Sequence, residues 1–472
     1  MLFNSFEFLI LVSVAFTLYY LPILRRYQVV IAIVASFVFY AYANWQLLFL
    51  LCASIAVNVA SSYAAIYGKA DRRKFWVTTG VVANLGVLLF FKYSPLFAVS
   101  FLPETSSMAE FLVQIPLPIG ISFFTFQGIS LMVDVYRGKD IEAYRELVHP
   151  KLATHALQTT FFISFFPQLV AGPVVKAHDF IPQINSKYFG NINWEFVARK
   201  LILGYFLKMV IADNLNVYTA DLAYPNFMLH STFTLLALLF AYSVQIFADF
   251  AGYSLIAIGI AGLFGYRLME NFKFPYISTS FSEFWRRWHI SLSSFLKEYL
   301  YFPLGGNKKG NLRTYINLML VMFLGGLWHG AAWSYAVWGS FHGIALAIER
   351  LVNTHVSIPE SKFIKVIQGV WIFSLVTLAW LLFKLPDFSE AILYIQALAT
   401  NIFKGPVINT GILLPTVFYG LPVVIYHLWY LYGFSLNFQF NRPVFQPVVY
   451  AFLFLLIIFN SGDSEAFIYF QF

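Results

Sequence analysis

Charge is what this chain has least of. Only 11% of its 472 residues are Asp, Glu, Lys or Arg, against about 25% in an ordinary soluble domain. The shortfall runs the whole length, so a water-soluble globule is excluded and a membrane-embedded protein is expected. There is one cysteine, Cys52, within an apolar run. It cannot form an internal disulfide and reads as a small packing residue. No long polar linker or low-complexity segment divides the chain, and no internal repeat of the transporter kind is visible. One integral membrane domain, residues 1–472, is expected. A Gly-x-Ser-x-Gly elbow and a His-x-x-x-His pair are both missing. Their absence argues against a serine hydrolase and against a metal site.

What is present is hydrocarbon: 60% of residues are hydrophobic and 20% aromatic. At about 20 residues per crossing, the apolar runs predict an all-α polytopic protein of roughly ten to twelve transmembrane helices. Among them are Trp45 to Tyr67, Phe233 to Phe250, Ala251 to Phe264, Ile364 to Phe383, Leu413 to Tyr432 and Val444 to Phe459. The first run, about Phe6 to Leu24, has no basic residue before it and Arg25-Arg26 after it. This reads as a spanning helix with its N-terminus outside rather than a cleaved signal. The run after Pro116 and Pro118 is interrupted at Gly120 and Gly128 and reads as broken or re-entrant. Ile392 to Phe403 is short enough to be interfacial. A formal charge of +8 comes from short basic clusters between spans, such as Lys69 to Lys74. That pattern fits cytoplasmic loops against anionic lipid and not nucleic acid. The stretch from Ser94 to Ile115, with Glu104 and Glu110, suits the outer face.

The chemistry concentrates between Phe281 and Gly343. His289 and His329 both sit in apolar surroundings, where an imidazole is costly unless it has a partner or a task. Read as one amphipathic helix from Phe281 to Leu300, the first segment has Ser280 or Ser282 as N-cap and Glu283 in the first turn. Trp285, Trp288, His289, Leu292, Leu296 and Tyr299 then form one apolar stripe, with Arg286, Arg287 and Lys297 opposite. The arginines suit lipid phosphate or an anionic substrate. Pro303 to Gly310 is a Gly-rich basic turn without Walker spacing. Gly325, Gly326 and Gly330 flank His329 and allow close approach, and Trp328, Trp333 and Trp338 are expected around it. His342, thirteen positions on, would point elsewhere on a continuous helix. Asp249, deep in an apolar run, reads as a structural carboxylate paired with an arginine or capping a helix, with a catalytic role as the alternative. A neutral, desolvated imidazole can take a proton from a hydroxyl attacking a thioester. O-acyl transfer is therefore one chemistry open to this site.

Ser282 to Leu292 (Ser-Glu-Phe-Trp-Arg-Arg-Trp-His-Ile-Ser-Leu), Tyr301-Phe-Pro-Leu-Gly-Gly306 and Leu327-Trp-His-Gly-Ala331 resemble the membrane-bound O-acyltransferases. So do Phe166 to Pro173, Gln245 to Ser254 and the closing Phe467 to Phe472. Within that family the chain looks most similar to bacterial members that acetylate secreted polysaccharides, of the alginate and cellulose types. The resemblance implies the family's fold, with re-entrant and interfacial helices, in the bacterial inner membrane. It implies His329 as the catalytic histidine and His289 as a second site residue. It also implies acetyl-CoA as donor with no bound cofactor or metal. Polysaccharide synthesis and export proteins are implied as partners, together with a periplasmic partner carrying a Ser-His-Asp esterase-like (SGNH) site. One departure stands out. The alginate type has Tyr-Ser-Asp where this chain has Tyr253-Ser254-Leu255, which puts alginate itself in doubt as the polymer. D-alanyl transfer, acylation of a lipid or protein, a transporter without chemistry and a scaffold subunit are the competing readings.

Overall fold

The computed structural model describes all residues except 43, 104, 139, 171, 357, 358, 360, 434–444, 464–466 and 468–472. Glu104, the expected break at Ala43, Ala171 of the Phe166 to Pro173 motif, the expected start of the last span at Val444 and the closing residues 468–472 lie outside the described residues. Among the described residues the elements are all helical. Six helical segments are long and apolar enough to cross a bilayer: Pro22–Ala41, Trp45–Tyr67, Ala70–Phe101, Thr232–Leu263, Lys362–Lys384 and Thr410–Leu431. Phe6–Tyr20 and Gln446–Phe459 are apolar but shorter. At 1.5 Å per residue, 20 residues cover about 30 Å, the hydrocarbon thickness.

The chain forms two compact units. The first comprises Met1–Leu201 and Ser254–Met269. It is built on α1 (Phe6–Tyr20), α2 (Gln28–Ala41), α3 (Trp45–Tyr67), α4 (Arg73–Phe101), α5 (Ile121–Arg137) and α6 (Leu152–Ser164). Here the expected broken run is a continuous helix, α5. Only Gly120 (φ 77°) interrupts it, at its N-terminus. Gly128 serves packing instead. Asn58 of α3 and Asn84 of α4 exchange side-chain hydrogen bonds of 3.2 and 2.9 Å in the interior. A Cβ on Gly128 would stand 2.4 Å from the Asn84 Oδ1. The glycine is therefore the space in which a satisfied polar pair fits.

The second unit comprises Ile202–Tyr253 and Glu270–Phe472. The helix α7 (Trp194–Tyr205) runs on through a π-helical turn, Phe206–Ala212, into Asp213–Thr219. The two spans expected between Phe233 and Phe264 are one 32-residue helix, α8 (Thr232–Leu263). Gly252 does not end it. A Cβ there would lie 2.8 Å from the backbone nitrogen of Lys208 and 2.9 Å from the carbonyl oxygen of Gly204, so glycine lets α8 pass close to the π-helical turn. That turn also leaves the Met209 carbonyl outside the normal ladder, and Gly462 N–H donates to it at 2.9 Å.

The expected single helix from Phe281 to Leu300 is three pieces: α9 (Phe281–Arg287), α10 (Ile290–Leu296) and a π-helical turn, Lys297–Tyr301. Then follow α11 (Asn311–His329), α12 (Trp333–His355), α13 (Lys362–Ala379), α14 (Phe388–Thr400), α15 (Thr410–Gly433) and α16 (Phe445–Phe459). Helices α11 and α12 form a hairpin of unusually close approach. A Cβ on Gly326 would lie 2.2 Å from the Tyr335 carbonyl oxygen, and one on Gly339 2.2 Å from that of Met322. Glycines facing each other let two backbones meet, the small-residue packing common between membrane helices.

Candidate active site

His289 owes its position to a deliberate break. Its φ is 43°, a left-handed conformation uncommon for a non-glycine residue. The break is held from outside. Ile290 N–H donates to the Asn271 carbonyl at 2.9 Å, and Lys273 N–H to the Arg287 carbonyl at 2.9 Å. The Ser291 hydroxyl donates to Asn271 Oδ1 at 2.5 Å. Asn271 is buried, so the extended segment before α9 grips both sides of the kink and repays the strain.

Helix α9 is capped twice. Ser280 Oγ accepts from Glu283 N–H at 3.0 Å, and Glu283 Oε2 accepts from Thr279 N–H at 2.9 Å. Arg287 Nε donates to Glu283 at 2.9 Å. Glu349 then reaches back from α12. Its Oε2 accepts from Phe281 N–H at 2.6 Å and its Oε1 from Ser282 N–H at 3.2 Å. A carboxylate at a helix N-terminus satisfies orphan donors and opposes the dipole.

The break turns His289 towards the end of α11. The rings of His289 and His329 are 6.0 Å apart, centroid to centroid, at 53°. Both are buried, 0% and 2% exposed. Around them stands an aromatic wall. Phe250 meets His289 edge-on at 4.6 Å, and Trp328 lies 5.8 Å from His289 and 5.2 Å from His329. Trp338 crosses His329 at 90° and 5.3 Å, and Phe383 lies 5.2 Å from it. Trp333, expected in this wall, is half-exposed. Neither ring nitrogen of His289 has a hydrogen-bond partner among the described residues. Burial lowers its pKa well below the ordinary histidine value, so the ring is neutral at physiological pH.

A third buried imidazole shares Trp338 with His329. His342 on α12 is fully buried and lies 4.8 Å from Trp338 and 5.1 Å from Trp285. The chain reverses at residues 330–332, so the two histidines lie on separate helices, each packed against Trp338. No group of three His, Cys, Asp or Glu residues among the described residues is placed to hold a metal ion.

Asp249 lies on α8 beside Phe250. It is ion-paired with Lys208 at 2.7 Å, and Lys208 is also 2.7 Å from Asp213. All three are buried. The partner is a lysine on the π-helical turn and not the arginine the sequence suggested. Lys208, Asn271 and Glu349 were not singled out by sequence reasoning for these contacts. The signals open to it were a buried-type lysine in an apolar helix and an asparagine before an Arg-Arg-Trp-His run.

With the geometry in view, relatives place it. The sequence model of the MBOAT, membrane-bound O-acyltransferase family, matches residues 112–386. This chain belongs to the membrane-bound O-acyltransferase family. It is 40% identical over 400 residues to the probable alginate O-acetylase AlgI of Azotobacter vinelandii, covering 83% of this chain and 76% of that one. It is 38% identical to the peptidoglycan O-acetyltransferase of Helicobacter pylori, covering 76% and 71%. Against the teichoic acid D-alanyltransferase of Bacillus subtilis the identity is 26%, covering 56% and 68%. The membrane-bound O-acyltransferase here is thus a multi-pass membrane enzyme of acyl transfer. Both histidines and the wall residues Phe250, Trp328, Trp338 and Phe383 fall within the matched span.

Proposed function

We propose that this enzyme O-acetylates a secreted polysaccharide from the bacterial inner membrane, with acetyl-CoA as the cytoplasmic donor. The observation that carries the reading is the pair of buried imidazoles, 6.0 Å apart inside an aromatic wall. In the proposed step His329 takes the proton of the accepting hydroxyl. The hydroxyl oxygen attacks the thioester carbonyl, the carbon–sulfur bond breaks, and the departing sulfur takes the proton back from His329 to leave as the free thiol of CoA. His289, neutral and within one ring's reach, would hydrogen-bond the acyl oxygen or pass the proton on. The aromatic wall would exclude water that could otherwise hydrolyse the thioester. The accepting hydroxyl in this reading belongs to a periplasmic partner with an esterase-like Ser-His-Asp site, whose acetyl ester is then broken by a polymer hydroxyl beside the synthesis and export proteins.

Relatives named as alginate and peptidoglycan acetylases support acetyl over D-alanyl transfer, since the D-alanyltransferase match is weaker and shorter. Leu255, standing where the alginate type has Asp, favours an alginate-like or cellulose-like polymer over alginate itself. The test is acetate content of the secreted polymer and of purified cell wall, with and without this protein. His329→Ala in a protein that still inserts should remove the acetate. Acetate at wild-type level in that strain would end the assignment. D-alanine in place of acetate would replace it with the D-alanyl reading.

A further inference from the structure

A groove in the second unit lies away from His289 and His329. It has a volume of about 610 Å³ and runs between α8, α13 and α15, within the ~300–1,000 Å³ range of small-molecule sites. Val244, Val366, Val370, Phe373 and Leu428 give it apolar walls. It follows α13 from Lys362 to Phe373, about 16 Å at 1.5 Å per residue. Val366, Val370 and Leu428 are also exposed, so the groove opens along the outer faces of two helices that are long and apolar enough to span the membrane. What faces that opening in a bilayer is lipid.

One residue of the wall is polar and unsatisfied. His427 on α15 lines the groove and is 3% exposed. Its Nδ1 lies 2.8 Å from the Val423 carbonyl oxygen, one helical turn back. Only an N–H can serve a carbonyl, so Nδ1 carries the ring's proton. None of the described residues that line the groove is acidic, so nothing there holds a second proton, and Nε2 is a bare acceptor. It has no partner among the described residues. With Nδ1 tied to its own helix, the ring edge that carries Nε2 turns away from α15. The ring is stacked on Tyr276 at 5.4 Å and 24°, and Phe247 meets it at 4.9 Å and 65°. The neighbouring polar groups of the wall are satisfied. The Tyr276 hydroxyl donates to the Ser243 carbonyl, and the Thr279 hydroxyl donates to Glu283 Oε2 at 2.9 Å. Lys362 and Lys365 are exposed at the mouth, outside this buried wall.

An acceptor left open in a buried apolar wall costs free energy until a donor meets it. His427 lies four positions before Leu431, the end of its apolar segment, which is about 6 Å at the helical rise. That depth is just inside the hydrocarbon, where the chain of a lipid meets its head. The molecule that fits has an apolar chain and a hydroxyl at its head end. We propose that the groove holds one chain of an uncharged lipid whose free hydroxyl donates to His427 Nε2. The apolar walls supply affinity in proportion to the chain area they cover. The imidazole supplies the selection, because a lipid with its hydroxyl capped leaves the nitrogen unpaired.

The experiment reads binding and not turnover, because Tyr276, on which His427 stacks, also lies 6.0 Å from Trp288, the neighbour of His289. The full chain is purified in detergent micelles. Labelled tetradecanol, or its labelled methyl ether with the same chain and no hydroxyl proton, is added at equal concentration. The label retained per protein is counted against protein-free micelles. The alcohol should be retained on the order of tenfold better than the ether. His427→Phe keeps a ring against Tyr276 but removes the acceptor, and should bring retention of the alcohol down to that of the ether. Gly369→Phe should lower both, since Gly369 lines the groove and a Cβ there meets nothing closer than the Ser278 carbonyl oxygen at 4.0 Å. Thermal unfolding shows that each variant is folded, and the wild-type comparison of alcohol with ether stands without either of them. Equal retention of alcohol and ether by the wild type overturns the proposal. So does a preference that survives in folded His427→Phe, or retention of both molecules unchanged in Gly369→Phe. Displacement of the alcohol by acetyl-CoA overturns it too, and would make the groove a donor subsite.

Discussion

Phe250 meets the imidazole of His289 edge-on at 4.6 Å, and the residue before it on α8, Asp249, is ion-paired with Lys208 at 2.7 Å. Two successive residues of one helix thus serve two different clusters. The ion pair anchors α8 at the position next to Phe250. Asp249 thus meets Lys208 one position along the chain from a residue of the aromatic wall.

That arrangement separates two substitutions that look alike on paper. Lys208→Met leaves two buried carboxylates without this cation and should cost about 3–5 kcal/mol. Asp249→Asn leaves Lys208 with Asp213, 2.7 Å away, and should cost less, on the order of 1–3 kcal/mol. Thermal unfolding of the detergent-solubilised protein measures both. If Asp249→Asn proved the more damaging, the carboxylate would have a task beyond holding the lysine.

The left-handed backbone at His289 makes a second discrimination. Asparagine tolerates that conformation better than other non-glycine residues, whereas alanine strains it. His289→Asn should therefore fold like the wild type, while His289→Ala should lose about 1 kcal/mol. Both remove the imidazole. If it acts in proton transfer, both should lose ~10²–10⁴-fold in turnover, measured as acetate transferred per enzyme. An asparagine variant with normal turnover would confine His289 to a structural role.

Much of this site could be read from the chain before any coordinates. Of the stripe drawn through Trp285, Trp288, His289, Leu292, Leu296 and Tyr299, the middle three are buried and the outer three half-buried, because burial follows local apolar pattern only while the helix stays unbroken. The helix carrying it is broken, because the break is made by Asn271 and Lys273, 14 to 20 positions upstream of the residues they hold. Glu349 acts on Phe281 across 68 positions, and Lys208 on Asp249 across 41. Contacts of that range leave no periodic trace in a single sequence. The same limit explains α8. Gly252, beside the expected join between Phe250 and Ala251, is a point of close approach to the turn at Lys208. The roughly ten to twelve spans expected from apolar runs compare with six long apolar helices and two shorter ones among the described residues.

Glu349 offers a test of how far a cap reaches. Its two oxygens accept from the N–H groups of Phe281 and Ser282 at 2.6 and 3.2 Å. Glu349→Ala strips both and should cost about 1 kcal/mol, whereas Glu349→Gln keeps one acceptor oxygen and should cost less. Because α9 leads into the break at His289, the alanine variant should lose turnover beyond its loss of stability, with the glutamine variant partly restoring it. Equal turnover in both variants would uncouple the cap from the histidine.

The final expectation concerns the hairpin of α11 and α12. A Cβ on Gly339 would fall 2.2 Å from the Met322 carbonyl oxygen, a backbone atom that cannot swing aside. Gly339→Ala must therefore push the two helices apart, at an overpacking cost of about 1–3 kcal/mol. His329 ends α11 and Trp338 begins the facing stretch of α12, so the separation opens the 5.3 Å contact between them. A shift of about 1 Å in a reacting group can cost 10²-fold in rate, so turnover should fall further than stability does. Gly86→Ala is the control: nothing lies within 4 Å of a Cβ there, and on α4 it should stabilise by roughly 0.5–1 kcal/mol through helix propensity alone. If Gly339→Ala kept wild-type turnover, the spacing of the hairpin would not be what holds the imidazole in register with its aromatic wall.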